Sequence, residues 1–99
     1  MKFLEKAIKP SLNTICIKRD FLNVQKAKLW IQWLLWESNY SIWRLKAILS
    51  DHEASFIIQG VYDLLDELSI DKKESSKIVI IGENIKLEEI EASFVSFCE

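Results

Sequence analysis

An α+β fold is expected here, with two helices on one face of a four-stranded, mainly antiparallel sheet. Apolar residues recur at helical spacing over Asn23–Glu37 and again over Ile85–Phe97, and stretches between and before them alternate at period two around β-branched residues. Only two glycines and one proline interrupt a chain that is 49% hydrophobic. The order is β-α-β-β-β-α, a two-layer sandwich in which both helix stripes bury against the sheet.

Residues 1–10 read as a leader or linker, because Pro10 disfavours helix at the residue before it, and residues 11–99 as the domain. Leu12–Arg19 alternates and is expected as a strand with Ile15 and Ile17 facing in, and Cys16 as packing. Asn23 is placed to cap the first helix, which Ser38-Asn39-Tyr40-Ser41 ends. In Trp43–Leu49 the residues Trp43, Leu45, Ala47 and Leu49 fall on one side, Arg44 and Lys46 on the other. The polar turn Ser50–Glu53 leads to a strand over Ser55–Tyr62, where Phe56, Ile58 and Tyr62 alternate with Ile57, Gln59 and Val61. Gly60 inside it marks a bulge or a close backbone contact. Asp63–Ser76 is acidic and then serine-rich, and reads as a flexible loop. Lys77–Ile81 is continuously β-branched, as in a strand buried on both faces. Gly82-Glu83-Asn84 is expected to turn the chain, with Asn84 capping the last helix. That helix carries Leu87, Ile90, Phe94 and Phe97 on one stripe, and Glu88 and Glu89 near its N-terminus suit the helix dipole.

The first helix holds more large apolar residues than one face needs. Val24, Ala27, Trp30, Ile31, Leu34 and Leu35 fall on one broad side, while Leu29, Trp33 and Trp36 fall together opposite, at i, i+4 and i+7. One stripe docks a helix on its own domain; the second asks for a partner or a covering loop. Arg44, Lys46 and Gln59, on the other side of the sheet, are likewise left over.

Thirteen basic and fifteen acidic residues give a net charge of −2 with no basic stripe, which argues against nucleic acid. With Trp43, Phe56 and Tyr62 all assigned to the core side, no aromatic platform is expected for stacked bases. The N-terminus is broken by charge where a signal peptide needs an apolar core, and no run approaches the roughly 18 apolar residues of a membrane span. A cytoplasmic protein is expected, with Cys16 and Cys98 as reduced thiols. No catalytic constellation is visible. The single histidine, His52, lies in a polar turn without the further ligands a zinc site wants. The carboxylates Asp63, Asp66, Glu67 and Asp71 lack calcium-loop spacing. Gly82-Glu83-Asn84 lacks the glycines and the Lys-Ser/Thr pair of a phosphate-binding loop. No catalytic, cofactor or metal residue is assigned.

The series Trp33-Leu-Leu-Trp-Glu37, Trp43-Arg-Leu-Lys46, Ile58-Gln-Gly-Val61 and Ile78-Val-Ile-Ile-Gly82-Glu-Asn84 resembles, in order and spacing, the C-terminal domain of CobW-type GTPases. The eukaryotic members regarded as GTP-dependent zinc metallochaperones are the most similar. The resemblance runs from about Ser11 to Phe94. It implies an α+β domain that follows a P-loop GTPase domain. That other domain carries the Walker lysine, the magnesium ligands and a Cys-x-Cys-Cys metal motif, so GTP, magnesium and zinc are implied only there. Departures are Ala47 where the family often has Gly, Tyr62 where it often has His, and Trp33 where a polar residue is more usual. A role for that histidine in metal or hydrogen bonding is therefore not carried over.

The expected function is a non-catalytic interaction or regulatory domain. It would dock, in cis or in trans, on a CobW-like GTPase domain or on a metalloprotein client through Leu29, Trp33, Trp36, Arg44, Lys46 and Gln59. The alternative is a stand-alone small binding protein, a homodimeric adaptor or inhibitor, that uses the Trp33/Trp36 stripe against itself.

Overall fold

The computed structural model describes residues 12–71 and 74–99; the expected leader at residues 1–10 lies outside them. The elements are β1 (Leu12–Arg19), α1 (Val24–Gln32), a π-helical turn (Trp33–Glu37), β2 (Ser41–Ser50), β3 (Ser55–Val61), β4 (Leu64–Ile70), β5 (Ser76–Glu83) and α2 (Leu87–Cys98). One sheet of five strands, ordered β1-β5-β2-β3-β4 and antiparallel at every pairing, replaces the four expected.

The additional strand is β4, in the segment read as a loop. It pairs with β3 from Val61↔Leu64 to Ser55↔Ile70. Its inward neighbours are few, and Leu64, Asp66, Glu67 and Leu68 are all exposed. An edge strand need bury little, so its composition resembles a solvated loop.

The core lies between the sheet and both helices. Ile15 and Ile17 from β1, Leu45, Ala47 and Leu49 from β2, Ile58 from β3, and Ile78 and Ile80 from β5 point inward. Val24, Ala27, Trp30, Ile31 and Leu34 meet them from the first helix, and Ile90 and Phe94 from α2. The two helices also pack on each other. Trp30 meets Phe94 edge-on at 5.1 Å and its indole Nε1 donates to Ser93 Oγ at 2.9 Å, so a large ring is buried with its one donor satisfied. Asn23 caps α1 as expected, its side-chain oxygen accepting from the Lys26 amide.

β2 departs from simple alternation. Its register with β5 slips between Ile42 and Arg44, so the extra residue, Trp43, leaves the core side and Ile42 is buried in its place. The bulge is therefore in β2, and Gly60 in β3 marks a close contact: a Cβ there would sit 3.0 Å from Leu35 Cδ1. β5 is not covered on both sides. Ile78 and Ile80 are buried inward, while Val79 and Ile81 on the outer face are half-exposed. Gly82 belongs to β5 rather than to a turn, and Asn84 bends the chain with φ 54° instead of capping. The residue before α2 is Lys86, without a side-chain cap.

Candidate interaction site

The first helix ends in a π-helical turn, closed by the Ser38 amide donating to the Trp33 carbonyl at 2.7 Å, five residues back. Winding the last turn wider changes the angular step per residue, and the Leu29/Trp33/Trp36 stripe does not continue as one row. Trp33 is half-buried among aromatic rings, 5.5 Å from Phe97 and 6.4 Å from Tyr40. Burial raises the Tyr40 hydroxyl pKa, with Glu89 nearby adding to the effect. Leu29 and Trp36 stay in the open, 58% and 53% exposed.

Trp36 leans on the sheet. Its indole donates to the Asp63 carbonyl at 2.9 Å, in the two-residue turn between β3 and β4. From the other layer Trp43 approaches the same turn, its ring 6.2 Å from Tyr62, while the Tyr62 amide donates to the Trp43 carbonyl at 3.0 Å. Tyr62 itself takes φ 56°, a left-handed conformation unusual for a bulky residue. Two tryptophans thus bracket one turn, and the exposed Trp36, Tyr62, Val61 and Leu64 surround it.

The outer face of the sheet carries Trp43, Arg44, Lys46 and Ile48 from β2, Ile57, Gln59 and Val61 from β3, and Lys77, Val79 and Ile81 from β5, as their registers require. Arg44, Lys46 and Gln59 are exposed there together. Pairing aligns Lys46 with Gln59 on one side and Val79 on the other. Between Arg44, Lys46, Gln59, Val61, Val79 and Ile81 lies a shallow groove of about 290 Å³. At its end Glu83 accepts from Trp43 Nε1 at 2.9 Å and Ser41 Oγ at 2.8 Å, and these bonds hold its carboxyl below the usual glutamate range.

The six expected surface residues therefore divide: Leu29 and Trp36 on the helix side, Arg44, Lys46 and Gln59 on the outer sheet face, Trp33 folded inward. Sequence reasoning missed Trp43 and Tyr62, which were assigned to the core, and Leu64 and Leu68, which β4 leaves 73% and 63% exposed. Cys16, expected as packing, is exposed on the outer face beside Val79 in register. Cys98 is half-buried, and both thiols are free.

Among the described residues no group of three or more His, Cys, Asp or Glu side chains could hold a metal ion. His52 stacks against Phe21 at 4.2 Å. No helix among them is long and apolar enough to cross a membrane.

The described residues thus form an α+β domain whose sheet is covered by helices on one face and open on the other. Residues 13–98 match the family model described as the cobalamin synthesis protein cobW C-terminal domain. The chain belongs to that family. Among solved structures it is similar to the Zn(II)-bound YjiA GTPase from E. coli, with 26% identity and a TM-score of 0.71 over 87% of this chain and 29% of that one. A Zn(II)-bound triple mutant of YjiA matches with the same identity and coverage and a TM-score of 0.72. The chain thus spans 29% of the length of these solved relatives. No curated protein matches.

Proposed function

We propose that this domain is a non-catalytic interaction and regulatory module of a CobW-like, GTP-dependent metal chaperone, zinc being the expected metal. It docks on a GTPase domain, in the same chain or supplied by another, or on the metalloprotein that receives the metal. The observation that carries this reading is the family match over residues 13–98 together with a solved GTPase of which the chain spans only 29%. The open apolar residues around the β3–β4 turn support it. Covering an exposed leucine such as Leu64 contributes roughly 1.5–3 kcal/mol before association costs, and tryptophan and arginine are enriched among residues that dominate binding. Residues 1–10 act as the connecting segment in this reading.

The test is calorimetric titration of the chain into a CobW-type GTPase domain that lacks its own C-terminal part, loaded with GTP or GDP. Saturable binding, with an affinity that differs between the nucleotides, is expected. No heat and no complex with either nucleotide would reject the reading.

A further inference from the structure

We propose that the outer face of the sheet binds an acidic amphipathic helix of a partner protein, apolar on one stripe and carboxylate-rich beside it. This inference rests on the interaction-domain reading and adds the chemistry of what is bound.

The face is both apolar and positive. Aliphatic side chains line it in rows: Val79 and Ile81 from β5, Ile57 and Val61 from β3, Leu64 and Leu68 from β4. Val61, Leu64 and Leu68 are 42%, 73% and 63% exposed, a poor solvent face for a sheet that has already buried its other side. Among these rows stand Arg44, Lys46 and Lys77, all exposed, and among the described residues none of the three forms an ion pair. The ion pairs among the described residues use Arg19 and Lys28, and both lie toward the helices. Lys18 stands beside Lys77 in register, and against these four cations the face sets the carboxylates of Asp66, beside Gln59, and Glu83, so positive charge is in excess here in a chain whose net charge is −2.

Position excludes the simplest occupant, a second copy. β2 is the central strand of the five, and Lys46 lies near its middle. A two-fold pairing of this face on itself would bring the Lys46 and Arg44 side chains of both copies together, with like charges opposed at the axis. The chain's own first segment has the wrong sign as well, since Met1–Ser11 carries Lys2, Lys6 and Lys9 against Glu5 alone. Nucleic acid would satisfy the cations but leave the leucine, valine and isoleucine rows against phosphate and sugar. A helix about 10–12 Å across fits over two or three strands spaced about 4.8 Å apart. It would set its apolar stripe over the Val61/Val79/Ile81 groove and its carboxylates on Arg44 and Lys46.

The test is an amide NMR titration of the isotope-labelled chain with a synthetic helical peptide whose leucine stripe is flanked by glutamates. The same peptide with lysine in place of glutamate, and a single-stranded oligonucleotide, serve as comparisons. The glutamate peptide is expected to shift amides of β2, β3 and β5, to bind more weakly as salt rises, and to lose affinity about tenfold in Lys46→Glu. Because Lys46 is exposed, that variant keeps the native spectrum; the double variant Arg44→Glu, Lys46→Glu is expected to prefer the lysine peptide. Equal binding of both peptides, shifts confined to the helices, no shifts at all, or tighter binding of the oligonucleotide at this face would each overturn the proposal. A chain that binds a GTPase domain but ignores the glutamate peptide loses this inference and keeps the proposed function. The reverse pair of results keeps this inference and removes the GTPase partner.

Discussion

Gly82 has no room for a side chain. A Cβ there would lie 2.6 Å from the Ser41 carbonyl oxygen and 3.3 Å from Ile42 Cα, both backbone atoms at the β2 bulge. At Gly60 the tight neighbour is instead the end of the Leu35 side chain, which can swing away. Gly82→Ala is thus expected to cost about 1–3 kcal/mol and Gly60→Ala distinctly less, read from urea unfolding; the opposite order would mean that the bulge can move. The cysteines differ in a similar local way. Burial, with Glu99 alongside, pushes the Cys98 thiol up to about 11, so at pH 8 it is almost all thiol. Cys16 is open to solvent. Iodoacetamide at pH 8 is expected to modify Cys16 well before Cys98, as mass spectrometry of digested peptides would show. Glu83 carries a pH dependence of defined sign. Its carboxyl pKa is lowered by the Trp43 and Ser41 hydrogen bonds, so its contribution is present above the unfolded glutamate value of ~4.3 and is lost as pH falls through the lower folded value. Glu83→Gln should therefore make stability fall less steeply with acid in that window, measured as unfolding midpoints from pH 5 downward.

Elements show where alternation and helical spacing were sufficient signals and where they were not. β1, the Asn23 cap and the buried stripe of α1 were legible because each repeats one unbroken period against one core. The β2 bulge defeats that logic. One inserted residue sends Trp43 outward and Ile42 inward, and its signal is Gly82, on a different strand. β4 was hidden for two reasons: an edge strand tolerates Asp66 and Glu67, and its hairpin turn uses Tyr62 at positive φ where glycine or asparagine would have announced it. Of the Leu29/Trp33/Trp36 stripe, Leu29 and Trp36 stay exposed while Trp33 is half-buried beside Tyr40 and Phe97, neighbours that no helical spacing within the stripe announces. It follows that Trp33→Glu disturbs the Tyr40/Phe97 cluster and should destabilise the fold by about 1–3 kcal/mol. Leu29→Glu should stay within about 0.5 kcal/mol of the parent. The ends of β2 and β5 are tied by Ser76, whose hydroxyl accepts from the Ser50 amide at 2.9 Å and donates to the Ser50 carbonyl at 3.2 Å, all buried. Ser76→Ala leaves that amide unsatisfied, so a loss of about 1–3 kcal/mol is expected in the same unfolding measurement.

For the molecule as a whole, one layer of helices covers one face of the sheet and leaves the other open. Arg44, Lys46 and Gln59 were legible as an outward row, because period two holds over that part of β2 and β3. Their joining to Trp36 around the Tyr62–Asp63 turn was not, because it depends on the β2 bulge, the tight turn and the π-helical turn together. The interaction-domain reading makes this continuous rim and face the working surface. Its most direct test is amide hydrogen exchange of the chain, alone and with a CobW-type GTPase domain. Slowed exchange is expected at the end of the first helix, the Tyr62–Asp63 turn or the outer face of β2, β3 and β5. Unchanged exchange at every one of these segments, under conditions where the partner is saturating, would contradict it.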